Sequence, residues 1–171
     1  MLTHNLRLLM RHFIIILMAA VLAMAGCGIV DDARVADQVR QGLDTQRFTL
    51  VVEHMYPTRG AARYVGGDSY TLTVDGGRVR SHLPYVGVAY QVPYGGGKVL
   101  NFEDDIEEYA DVVDARGRRV IALTTDNGED YIIYTLTVHD NGRADLLVRS
   151  KNREQISFRG RIDPDAFPEE E

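Results

Sequence analysis

The sequence predicts a mainly β domain: an antiparallel meander of about eight strands, closed as a barrel or folded as a sandwich, with one N-terminal α-helix. Three observations carry this. From Arg47 onward, apolar and polar side chains alternate one by one, the period of a half-buried strand. The links between the alternating runs are short and rich in Gly and Asn, which forces antiparallel neighbours. One stretch, Val35 to Leu43, instead places apolar residues at helical spacing.

The helix comes first. Asp32 offers an N-cap, Val35, Ala36, Val39 and Leu43 form the apolar stripe, and Gly42 marks the approach of the C-terminus. About three turns are marginal alone, so the stripe must pack on something else. In the first strand Phe48, Leu50 and Val52 alternate with Thr49, Val51 and Glu53. Met55 to Gly67, with Pro57, Gly60 and Gly66, reads as a loop. Tyr70, Leu72 and Val74 form the next face, and Asp75-Gly76-Gly77 turns the chain back at Val79.

His82 to Gly97 breaks the pattern. It holds Tyr85, Tyr90 and Tyr94, Pro84 and Pro93, and four glycines. Beyond it, strands are expected near Ile106–Val113, Arg119–Thr124, Tyr131–Val138, Ala144–Arg149 and Gln155–Ile162. Asn127-Gly128 and Asn141-Gly142 are strong hairpin signals. One face of the last three strands should be buried: Ile132, Tyr134, Leu136 and Val138, then Ala144, Leu146 and Val148, then Ile156, Phe158, Gly160 and Ile162. Residues 163–171 are acidic and broken by proline, and read as a disordered tail.

Residues 1–26 do not belong to this pattern. Arg7 and Arg11 are their only charged side chains, and they precede the thirteen-residue apolar run Phe13–Ala25. Spanning a bilayer takes about 20 residues. A positive start, a short apolar core and small residues before a cleavage point make a secretory signal peptide. Leu22-Ala23-Met24-Ala25-Gly26-Cys27 resembles a bacterial lipobox, with Met24 departing from the usual Leu three places before the cysteine. The resemblance implies cleavage before Cys27, a diacylglycerol on its thiol and an acyl chain on the new amine. The plain alternative is a free thiol at an ordinary cleavage site. The flanks, and the fact that Cys27 is the only cysteine, favour the lipobox. The expected organisation is a signal at 1–26, a lipid-anchored tether at 27–31, one β-rich domain at 32–162 and the tail at 163–171. The expected location is the cell envelope, anchored by lipid in the outer membrane.

Removing Arg7 and Arg11 leaves 17 basic against 25 acidic residues, a net charge of −8. Phosphate backbones repel such a surface, so nucleic acid is excluded as a partner. Membrane attachment must come from the lipid, at about 0.8 kcal/mol per buried methylene.

The strand arrangement resembles the domain of unknown function DUF4251, found in Bacteroidetes envelope lipoproteins. The matching residues are Phe48-Thr49 after a helix, Tyr70-Thr71-Leu72-Thr73-Val74, Leu83-Pro84-Tyr85-Val86-Gly87-Val88-Ala89-Tyr90, and the run from Asn141 to Ile162. Val86 stands where the family usually has Phe. The resemblance implies a lipoprotein with a helix and an antiparallel sheet, and implies no activity.

Candidate chemistry is sparse. Gly95-Gly96-Gly97-Lys98 lacks both the earlier Gly and the following Ser or Thr of a phosphate loop. Glu103-Asp104-Asp105-Ile106-Glu107-Glu108 lacks the calcium-loop pattern and reads as a solvated acidic loop. His54, His82 and His139 have no metal spacing, and no serine sits in a nucleophile-elbow setting. No metal, cofactor or enzymatic activity is expected. Tyr85, Tyr90 and Tyr94 are the candidate ligand contacts, since clustered tyrosines suit saccharides and small molecules. A structural corner, fixed by Pro84 and Pro93 with the rings covering the core edge, is the preferred reading of the same residues. Three functions follow: a binding or interaction module, a structural lipoprotein acting through a protein partner, or a hydrolase, which needs a nucleophile and a base together in a cleft.

Overall fold

The computed structural model describes residues 27–67, 69–90 and 100–166. The signal segment, residues 91–99 with Tyr94, and residues 167–171 lie outside them. The chain divides into two units, Met1–Val35 and Ala36–Glu171. The whole sheet belongs to the second, together with the part of helix α1 (Cys27–Asp44) from Ala36 onward.

Ten strands follow: β1 (Arg47–Pro57), β2 (Arg63–Tyr64), β3 (Thr71–Asp75), β4 (Arg78–His82), β5 (Asn101–Asp105), β6 (Glu108–Val113), β7 (Arg119–Asp126), β8 (Tyr131–Val138), β9 (Arg143–Ser150) and β10 (Ile156–Ile162). They form one antiparallel sheet in the order β5-β4-β3-β1-β10-β9-β8-β7-β6, with β2 beside β1. The two ends of this order, β5 and β6, are consecutive in the chain, and only Ile106 and Glu107 separate them. That short link forces the sheet to curl until its ends meet. The bend is tied to both sides: the Ile106 amide donates to Gly77 O (2.7 Å), the Glu107 amide to Thr124 O (2.9 Å), and Thr125 Oγ1 to Asp105 O (3.0 Å). The result is a curled half-barrel made from one sheet, and not a sandwich of two.

The expected inward faces are the buried ones. Ile132, Tyr134, Leu136 and Val138 of β8 meet Ala144, Leu146 and Val148 of β9, and Ile156, Phe158 and Ile162 of β10. From the other half come Phe48, Leu50, Val52, Leu72, Val74, Val79, Leu100 and Phe102. The Asn-Gly hairpins form as expected. Asn127 Oδ1 accepts the Glu129 and Asp130 amides, and Gly128 takes φ 77°, a region L-residues rarely adopt.

β1 is the longest strand and lies between β3 and β10. Its register against β10 shifts between Val52 and His54, so the buried parity moves from Leu50 and Val52 to Met55. Gly160 sits opposite Val52 at this irregularity. A Cβ there would lie 1.9 Å from the Val51 carbonyl oxygen, so the two backbones approach as closely as they do because the side chain is missing.

Several expectations are corrected. α1 begins at Cys27 and not at Asp32, so residues 27–31 are helical and not an extended tether. No proline interrupts Cys27 to Asp31, and extending a helix costs far less than starting one. The stretch expected as a loop from Met55 is the continuation of β1 to Pro57, then the short β2. Glu103, Asp104 and Asp105 form strand β5 and not a solvated loop, because β4 supplies matching cations. Arg80 Nε lies 2.9 Å from Glu103 Oε2, and Arg78 lies 3.1 Å from Glu103 and 3.4 Å from Asp105. A charged end strand also resists unwanted pairing. The first tail residues are placed: the Asp163 amide donates to Thr49 O (2.9 Å).

No helix among the described residues is long and apolar enough to cross a membrane. Replacing Gly160 by Ala is expected to cost about 3 kcal/mol or more, because backbone atoms must move. Denaturant unfolding of Gly160→Ala beside the parent chain measures it, and an unchanged midpoint would contradict the close approach.

Candidate functional site

Pro84 and the end of β4 lead the chain along the β9–β10 connection. The Tyr90 amide donates to Asn152 O (2.7 Å), the Glu154 amide to Val88 O (3.0 Å), and Ala89 bridges Arg153. Tyr85 is turned into this corner. Its hydroxyl lies 3.1 Å from both Val88 O and Glu154 O, so one proton serves two acceptors. The Arg153 guanidinium stands 5.9 Å from its ring centre. Burial raises the Tyr85 phenol above its ordinary value, against the opposing pull of Arg153.

Beneath the ring lie buried charges. The Asp130 and Arg153 side chains are 2% and 6% exposed, and Glu154 is 7% exposed, so their mutual contacts decide whether the corner holds. Asp130 accepts from Ser150 Oγ and, at 3.2 Å, from the Asn152 amide, with Arg153 Nε at 3.5 Å. Glu154 accepts the Val88 amide (3.2 Å) and pairs with Arg59 (3.1 Å). Tyr85 is therefore part of a structural corner.

Tyr90 differs. The residue is 66% exposed and borders a cleft of about 350 Å³, beside Arg149, Ser150, Arg153, Glu154 and Thr58. Of the three predicted tyrosines, the structure brings Tyr90 and the Tyr85 corner together, and Tyr94 lies outside the described residues.

A second cavity, of about 470 Å³, opens where α1 from Ala36 onward meets the ends of β6, β7 and β8. Val39 and Leu43 are buried there. The polar feature of this cavity is Arg119. Its Nε lies 2.9 and 2.8 Å from the two Asp111 oxygens, its Nη2 also meets Asp111, and its Nη1 donates to Asp44 Oδ1 at 2.5 Å. These carboxylates hold the guanidinium above its ordinary value. The three residues are far apart in the sequence and match no motif. One signal was there to be read: Asp44 places a carboxylate at a helix C-terminus, where cations are favoured. His139 and Asp140 also line this cavity, and His139 Nε2 pairs with Asp145 (3.1 Å). Among the described residues, no group of three His, Cys, Asp or Glu could hold a metal ion.

The sequence profile of the domain of unknown function DUF4251 matches residues 31–162. The chain belongs to this family. The same fold is seen in a crystal structure of a DUF4251 family protein from Bacteroides eggerthii, which is 19% identical with a TM-score of 0.55, over 78% of this chain and 89% of that one. No curated protein matches the chain. Of the segments that resemble DUF4251, Leu83–Tyr90 pairs with Asn152, Arg153 and Glu154 of the run from Asn141 to Ile162, and this pairing builds the Tyr85 corner.

Tyr109, on β6 two residues before Asp111, has a buried hydroxyl without a hydrogen-bond partner. Burial pushes its phenol up to about 12, and the Asp111 charge adds to the rise. A folded value above the ordinary 10.0 means that stability is fully present below about pH 10 and is lost as pH climbs through about 12. Tyr109→Phe is expected to move the alkaline unfolding midpoint upward, followed by circular dichroism. At neutral pH it should leave stability unchanged or raise it by about 1 kcal/mol, since an unpaired buried hydroxyl is removed.

Proposed function

We propose that this DUF4251 chain is a lipid-anchored protein of the cell envelope that works as a non-enzymatic binding module. Acyl chains on Cys27 hold it to the outer membrane, and Tyr90 contacts a small polar ligand such as a saccharide. The observation that carries the binding reading is the Tyr90 ring, open to solvent at the edge of a polar cleft. An exposed ring face gives stacking area, while Arg149 and Ser150 beside it offer hydrogen bonds to hydroxyl groups. The corner below fixes the backbone on both sides of the cleft, so little ordering entropy is lost on binding.

A hydrolase would need an activated nucleophile. Ser150 does border the cleft and meets Asp130, but that carboxylate is already held by Arg153 and the Asn152 amide. Its charge is committed to the corner, and it is a poor base for a hydroxyl. The anchor is supported by the Leu22-to-Cys27 segment, which resembles a lipobox.

A second reading, contact with a protein partner, is favoured by end strand β6, where Val112 and Val113 are 58% and 70% exposed. An apolar end strand suits strand addition by another chain. A photo-crosslinker at Val112 that captures one discrete partner in intact cells would favour this reading.

Two expectations test the proposal. In a Gram-negative host fed a clickable palmitate analogue, the parent chain takes up label and Cys27→Ser takes up none; labelling of the Ser variant would remove the anchor. In a screen against soluble envelope saccharides, Tyr90→Ala is expected to weaken binding about tenfold with an unchanged melting temperature. Equal binding by both proteins would remove Tyr90 from the site.

A further inference from the structure

The cavity between α1 and the ends of β6 to β8 is separate from the Tyr90 cleft and shares no lining residue with it. At about 470 Å³ it falls within the range of small-ligand sites. One part of its wall is apolar, formed by Val39, Leu43, Val113 and Val138. The other carries Arg119, whose side chain is 22% exposed.

The guanidinium is gripped unequally. Asp111, equally shielded, takes the Nε and Nη2 edge through several contacts. A bidentate carboxylate on that edge sets the plane of the group and leaves the Nη1 corner to point elsewhere. Asp44 alone holds that corner, and its side chain is 59% exposed. Asp44 is also the last residue of α1, and the last turn has no basic residue. A carboxylate there faces the negative end of the helix dipole, so its position is unfavourable apart from Arg119. The arrangement is a cation fixed from one side by a shielded anion and covered on the other by one that reaches solvent.

We propose that this cavity binds a small monocarboxylate with an apolar tail, whose carboxylate replaces Asp44 on Arg119 while its tail lies against Val39, Leu43 and Val138. Asp111 keeps the guanidinium in place throughout. Asp44 then acts as a competitor from within the chain: it shields Arg119 when the cavity is empty and turns to solvent when a ligand enters. Arg40, which also lines the cavity, is paired with Asp37 (3.1 Å), so Arg119 is the group the ligand must reach, and Asp140 sets a limit on how much negative charge the site accepts.

The test uses the full chain in lipid nanodiscs, with hexanoate as the probe and arginine Nε–H and valine methyl NMR signals as the readout. Hexanoate is expected to shift the Arg119 Nε–H and the Val39 and Val138 methyls together. Asp44→Asn is expected to bind about fivefold more tightly, the size of a partly exposed ion pair. Hexanol and acetate, each lacking one half of the ligand, are expected to bind at least about tenfold more weakly. The proposal is overturned if hexanoate shifts none of these signals in either protein. It is equally overturned if hexanol matches hexanoate, or if hexylamine or calcium ion is preferred, which would make the carboxylates the site. Arg119→Met, checked for folding by circular dichroism, should abolish the hexanoate shifts. If that variant unfolds, the Asp44→Asn comparison decides alone: unchanged affinity means that Asp44 does not compete.

Discussion

The pairing of β1 with β10 holds the two halves of this protein together. β1 opens the N-terminal hairpins and β10 ends the C-terminal meander, and among the described residues theirs is the one strand ladder that joins the halves. Seven positions stand in register, from Leu50 opposite Ile162 to Pro57 opposite Ile156. The rest of the core follows from this seam, because Leu50 stands opposite Ile162 and Met55 opposite Phe158 only when it has formed, and all four are buried. The seam in turn depends on what is missing at Gly160, since the irregularity beside Val52 brings backbone against backbone. The link at Ile106 and Glu107 makes a second join, and there the sheet curls back on itself instead of lying flat.

The Tyr85 corner shows how polar residues can specify a fold. Asp130, Arg153 and Glu154 are nearly removed from water, and burying charge is costly unless each partner is met. The two carboxylates are met by hydrogen bonds or an ion pair from other strips of chain, while Arg153 Nε makes no hydrogen bond and has the Asp130 charge 3.5 Å away and the Tyr85 ring beside it. Apolar residues would tolerate a shift of the Leu83–Tyr90 strip along the β9–β10 connection, whereas these hydrogen bonds permit one register. Family resemblance in both strips thus reflects geometry that must be kept, and it does not by itself mark a binding residue.

Much of the sheet was legible in the sequence because one-face burial leaves a period-two trace. β8, β9 and β10 each declare their inner face residue by residue, and Asn127-Gly128 and Asn141-Gly142 declare the turns. β5 was illegible because its acidic residues are neutralised by Arg78 and Arg80, a pairing visible only once the strands are side by side. The helix start was missed because Asp32 looks like a cap while nothing before it forbids a helix. For the sites, Tyr90 could be singled out from composition, but Tyr85 and Tyr90 look alike in sequence and only packing separates ring-in from ring-out. The Asp44–Arg119–Asp111 group was hidden for a different reason: a helix end and two strands bring together residues that no local pattern connects.

The β1–β10 seam also orders events in time. Leu50 must wait for Ile162, close to the last residue of the fold, before its strand gains that neighbour. As the chain emerges from the ribosome N-terminus first, the hairpins of β3 with β4 can come and go, but the curled sheet cannot close until nearly all of the domain has been made. Early fragments therefore stay open and pliable. The strand that completes the fold is also among the last to be made, and closure of the sheet is a late event for the whole domain.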